Sequence, residues 1–147
     1  MIGKRVPIDN ADARLNILVY PLPRKRSMGH TVAQVKICNP HHTSKCMDLE
    51  LLVDTGSTYT WIKRDRLEKI GVEPVEKVKF RTIDNRAIER YVSEIVAVCV
   101  GKKATTIVVF AEESDNEVFG LHALEGLRLE VDPVTKQLRE VEAVLAL

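Results

Sequence analysis

The chemistry in this sequence concentrates in Leu51-Leu52-Val53-Asp54-Thr55-Gly56-Ser57. An acid stands at the end of an apolar run. A glycine lets the chain turn sharply beside it, and hydroxyls flank it. A carboxyl carried into an apolar strand end is costly unless it is hydrogen-bonded or desolvated for a purpose. A second group, Cys38, His41, His42 and Cys46, falls around one polar turn and offers four zinc-type donors. Its spacing is not that of a zinc knuckle, so we expect no metal here. Strand alternation points Cys38 and Cys46 away from the core, and a place opposite each other is one option. Three cysteines, an odd number, argue against a disulfide framework; a cross-strand bridge is not expected in an ordinary cytosol but a hyperthermophile would allow one, so the state of the pair stays open. Cys99 lies in an apolar strand and reads as core. His30 and His122 have no evident acid partner and read as surface or satisfied histidines. Trp61 reads as a core anchor.

Three readings of Asp54 compete. The plainest is a turn at a strand end, where Asp and Gly are common. The second is a phosphate cradle, since Asp-x-Gly-Ser/Thr loops also occur in actin-like sugar kinases. Those enzymes close two large lobes on ATP, which one domain of 147 residues does not supply. An aspartyl-phosphate site would need a lysine after the acid, where Thr55 stands. The third is a carboxyl that activates water against a peptide bond. Asp-Thr-Gly alone arises readily by chance, so the apolar strand before it and Ser57 after it carry the weight.

The elements that must position this acid are mostly strands. Val32, Val35 and Ile37 lead to a polar turn over 39–45. Met47, Leu49 and Leu51 then alternate with Asp48 and Glu50, which buries one face. Residues 58–62 are β-branched and aromatic and read as a strand. Residues 63–70 read as a short helix ended by Gly71. Residues 78–83 and 87–92 flank Asp84-Asn85-Arg86 as a hairpin, because Asp and Asn tolerate the left-handed turn conformation. Strands follow over 95–100 and 105–110. Residues 112–117 read as a solvated acidic loop, 121–127 as a helix of about two turns, and 129–131 with 138–144 as a last hairpin around 132–135. This is an all-β pattern, a small closed barrel with one or two short helices.

Composition narrows the classes. Lys plus Arg number 22 against 21 for Asp plus Glu, so no charge footprint speaks for nucleic acid or an anionic membrane. With 45% hydrophobic and 29% charged residues the chain is globular. No run approaches a membrane span, and residues 1–12 lack the apolar core of a secretory signal. The expectation is a cytoplasmic protein. Residues 1–27 hold Pro7, Pro21, Pro23 and the run Arg24-Lys25-Arg26, with a short strand expected over 16–20. They read as an N-terminal extension to a domain at 28–147.

Across residues 30–144 the sequence resembles the retropepsin-like aspartic peptidases, the retroviral-protease clan, in their single-domain microbial form. Four features align in order. They are Leu-Leu-Val-Asp-Thr-Gly-Ser at 51–57, the Thr82-Ile83-Asp84-Asn85 hairpin tip like the family's flap, Val118-Phe119-Gly120 like its apolar-apolar-Gly element, and the helix after it. The ending Leu129-Glu130-Val131-Asp132-Pro133-Val134-Thr135 is similar as well.

The resemblance implies an aspartic endopeptidase that acts on polypeptides with no metal and no cofactor. The chain has a single Asp-Thr-Gly, so a two-carboxyl site implies a two-fold homodimer with Asp54 contributed twice. Thr55 would bond across the axis, Gly56 would turn its N–H to the carboxylates, and Ser57 would bond the outer oxygen of Asp54. Ile83, Asp84 and Asn85 would cover substrate, although this tip lacks the glycines of retroviral flaps. The competing reading is a dimeric binding or scaffold domain that kept the fold and lost turnover.

Overall fold

In a computed structural model, residues 30–142 are described. The strand expected over 16–20, the rest of the N-terminal extension and the tail after Glu142 fall outside them. The described chain runs β1 (Val32–Asn39), β2 (His42–Asp54), β3 (Thr60–Lys63), α1 (Arg64–Lys69), β4 (Glu76–Arg81), β5 (Ala87–Cys99), β6 (Lys102–Ala111), β7 (Val118–Gly120), α2 (Leu121–Leu127), β8 (Leu129–Val131) and β9 (Leu138–Glu140).

Seven strands form one sheet in the order β1-β2-β7-β3-β6-β5-β4, and β1 also pairs with β5. The pairing β1-β2-β7-β3-β6-β5 therefore returns on itself as a ring, and β4 hangs from β5 outside it. Such a ring leaves few open edges. A separate pair, β8 and β9, carries the end of the described chain. The fold is all-β, as the alternating strands predict.

The core fills the ring. Ile37, Leu51, Ile62, Phe110, Phe119 and Leu124 are fully buried, each contributing about 1.5–3 kcal/mol on removal from water. The period-two reading of β2 holds. Leu49, Leu51 and Val53 point inward, Asp48 and Glu50 outward. α1 stops where Gly71 takes φ 77°, and Asn39, itself buried, donates to the Ile70 carbonyl at 2.9 Å.

Four sequence expectations change. The polar stretch 39–45 is not all turn: β2 begins at His42 and projects as an exposed hairpin arm, so its polarity reflects solvent. Residues 87–92 and 95–100 are one strand, β5, whose first half pairs with β4 and second half with β6. Cys38 and Cys46 carry the cross-strand bridge that an ordinary cytosol disfavours. They stand directly opposite in register and form a disulfide, while buried Cys99 remains a thiol that burial pushes up. Trp61 is not a core anchor, because Thr60 and Ile62 take the inward positions of β3 and turn the indole to the half-buried face.

The acidic loop is also more ordered than a solvated reading allows. The Lys63 ammonium donates to the carbonyls of Glu112, Glu113 and Asp115 at 3.1, 2.8 and 2.7 Å. Arg90 clasps both oxygens of Asp115 at 2.6 and 3.0 Å. Three of the loop's acids meet arginines, Asp115 with Arg90, Glu112 with Arg64 and Glu117 with Arg66, whereas Lys63 takes main-chain carbonyls.

Candidate active site

β2 delivers Asp54 into the interior, at 1% exposure. The turn that follows satisfies it locally: the Gly56 N–H donates to Asp54 Oδ1 at 2.9 Å and the Ser57 N–H to the Asp54 carbonyl at 3.1 Å. The glycine amide thus points at the carboxyl. Thr55 stands exposed beside it. The Ser57 hydroxyl donates to the Tyr59 carbonyl at 2.8 Å, a bond not anticipated from the sequence, where Ser57 was assigned to Asp54.

The loop is held from behind by β7 and α2. β7 runs parallel to β2, aligning Val118 with Leu52, Phe119 with Val53 and Gly120 with Asp54. The Gly120 N–H donates to the buried Thr60 hydroxyl at 3.0 Å. The first amides of α2, from Leu121 and His122, donate to the carbonyls of Ser57 and Thr58 at 2.8 and 2.9 Å. A β-carbon on Gly120 would fall 2.3 Å from the Tyr59 carbonyl oxygen, so the backbones approach closer than any side chain permits. The apolar-apolar-Gly element and the Asp-Thr-Gly-Ser turn, distant in sequence, thus form one unit.

The β4–β5 hairpin ends in a tip of its own making. The Thr82 N–H donates to the Arg86 carbonyl at 2.8 Å, and the Asn85 N–H to the Thr82 carbonyl at 2.9 Å. Asn85 takes φ 68°, which Asn tolerates in place of glycine. The Thr82 hydroxyl bonds the Asp84 carboxylate, which also pairs with Arg86 at 2.9 Å. These partners hold the Asp84 carboxyl below its ordinary value. Ile83, Asp84 and Asn85 all stand exposed. The hairpin meets the site through Phe80, whose ring packs on Tyr59 and Trp61.

Thr60, Tyr59 and Phe80 join the site only in the structure. A threonine on the inward face of β3 is a signal for Thr60, since a buried hydroxyl needs a partner. Tyr59 and Phe80 gave no local signal, because they meet only through the fold. His122 is satisfied, its Nδ1 2.9 Å from the Thr106 hydroxyl. Among the described residues, no three His, Cys, Asp or Glu side chains gather as a metal set, and no helix is long and apolar enough to cross a membrane.

The described residues thus form a ring-paired all-β domain whose Asp-Thr-Gly-Ser turn is braced by an apolar-apolar-Gly strand. Residues 33–122 match the family described as aspartyl protease, and the chain belongs to that family, in its retropepsin-like type. The match spans β1 through the start of α2 and includes Asp54, the hairpin and Gly120. No curated protein matches the chain.

Proposed function

We propose that this protein is an aspartic endopeptidase whose active form is a two-fold homodimer. The observation that carries the reading is the Asp54 carboxyl at the end of β2, its Oδ1 held by the Gly56 amide. One such carboxyl is half of a catalytic pair. Two, brought together across an axis, share one proton, because close like charges do not both ionise. One then takes a proton from water while the other protonates the substrate carbonyl. Thr55, exposed on the single chain, is placed by this reading at the axis, bonded to the partner's loop. The six-strand ring is the small barrel of the retropepsin type, and the β4–β5 hairpin is the flap that shields substrate from water. The substrate is a polypeptide, and no metal or cofactor takes part.

The test is cleavage of an unfolded protein from acid to neutral pH by wild type and Asp54→Asn, each at several concentrations. The variant is expected to lose about a thousandfold or more in rate. Wild-type cleavage is expected to fall faster than linearly on dilution, because the dimer dissociates. Equal cleavage by both proteins would sink the assignment. A folded dimer that cleaves nothing would favour the scaffold reading.

A further inference from the structure

We propose that Phe80 is a positioning residue, a latch that holds the β4–β5 hairpin down on the segment after the catalytic turn. The proposal deepens the peptidase reading by naming what sets the hairpin's open–closed balance. Among the described residues β4 is the terminal strand of its sheet and pairs with β5 alone, and the Arg90–Asp115 pair anchors the β5 side of the arm, so the part left to move is the tip-ward end beyond Arg90, with Phe80 on it. Along β4 the exposed Lys79 and Arg81 alternate with the half-buried Val78 and Phe80. Phe80 therefore faces the body of the molecule, two residues before the tip.

There it meets two rings. Tyr59 lies edge-on at 6.3 Å between centroids and 86° between planes, and Trp61 lies tilted at 5.3 Å and 56°. Neither ring is free to follow the hairpin. The Tyr59 carbonyl is bonded by Ser57 and abuts Gly120, and its ring stands edge-on to His122 at 6.0 Å. Trp61 is in β3, paired on one side with β6 and on the other with β7. Lifting the hairpin therefore separates Phe80 from both rings, while the rings stay with Asp54.

The strength suits a latch. Each aromatic pair shifts an equilibrium by about two- to tenfold, enough to favour closure and little enough to allow opening. A residue buried in the core would do neither, since its removal unfolds the domain. The three rings are only half-buried.

Trp61 is the sole tryptophan of the sequence, which provides a direct reporter. The full chain would be compared as wild type, Phe80→Ala, Phe80→Leu and Phe80→Tyr, well below the unfolding temperature. Acrylamide quenching of Trp61 and hydrogen exchange over 78–90 need no substrate. Phe80→Ala is expected to raise the quenching constant about twofold and to speed exchange in the hairpin. Phe80→Tyr should restore both, with Phe80→Leu between. With reduced, alkylated lysozyme as substrate, KM should rise several-fold for Phe80→Ala while kcat holds. Unchanged quenching and exchange in a folded Phe80→Ala protein would overturn the latch. If that variant does not fold, an unchanged Phe80→Leu protein overturns it equally. A protein that shows the optical effects but cleaves nothing would sink the peptidase reading and leave the latch standing.

Discussion

At the residue scale, the Asp54 turn depends as much on an absent atom as on present ones. Gly120 belongs to no catalytic motif when read in isolation, yet it lies level with Asp54 across a parallel pairing. Its missing side chain lets β7 press against the Tyr59 and Ser57 carbonyls. In Gly120→Ala the new β-carbon would meet the Tyr59 carbonyl oxygen and carbon at 2.3 and 2.5 Å and the Ser57 oxygen at 2.9 Å. All three are backbone atoms, which no rotamer change relieves. We expect a loss of about 3 kcal/mol or more in unfolding free energy, since overpacking against backbone exceeds the usual side-chain cost. Denaturant unfolding measures it, and a loss below about 1 kcal/mol would show that the loop shifts freely. The importance of Val118-Phe119-Gly120 was legible by resemblance, and its physical cause was not. Close approach of two backbones is a property of the fold, invisible in either segment alone.

At the element scale, the β4–β5 hairpin replaces glycine with side-chain wiring. Thr82, Asp84 and Arg86 bind one another around Asn85, so the tip is shaped by charge as well as by backbone. Folding lowers the Asp84 carboxyl through the Thr82 hydroxyl first and Arg86 second. A carboxyl lowered by folding contributes stability that is full above its unfolded value, about 3.9, and is lost as pH falls through the folded value. Tip order should therefore decline in acid. Hydrogen exchange at the Arg86 amide, which donates to the Thr82 hydroxyl at 2.9 Å, reads this directly. Wild type should lose protection as pH falls below about 4, whereas Asp84→Asn should be less protected throughout and insensitive to pH over that range. Equal pH dependence in both would remove the carboxylate from the account. The hairpin was legible because Asp and Asn announce a left-handed turn, and α2 was legible from 121 to 127. The continuity of β5 was not, since the partner changes from β4 to β6 midway and the apolar pattern changes with it.

At the scale of the whole molecule, the 112–117 loop ties together elements that would otherwise only touch. It leaves β6, collects Lys63 from β3, Arg64 and Arg66 from α1, and Arg90 from β5, and then delivers β7 beside Asp54. Asp115 is the hub. Its carboxylate takes both Arg90 bonds and the Glu112 amide at 2.8 Å, and its carbonyl takes the Lys63 ammonium. The Arg90 and Asp115 side chains are 16% and 14% exposed, too covered for water to replace the lost partner. Asp115 raises the Arg90 guanidinium above its ordinary value, and when the acid is removed arginine still stays charged, because that ordinary value already lies far above neutral. Asp115→Ala therefore strands a cation and frees an amide, and we expect a loss of about 2 kcal/mol, the range for hydrogen bonds to charged groups. For a domain of this size that is a fall of about 4–8 °C in Tm. Asp115→Ala with Arg90→Met should recover part of the loss, because the stranded charge is then gone. A sequence reading saw only a run of acids and assigned it to solvent. The cations that pair with the run's carboxylates arrive from positions 64, 66 and 90, and only the ring of strands brings them together. If Asp115→Ala lowers Tm while any Asp54-dependent cleavage that the proposed function predicts is unchanged per folded protein, the loop serves stability alone. If that cleavage falls as well, the loop holds β7, and through Gly120 the Asp54 turn, in working register.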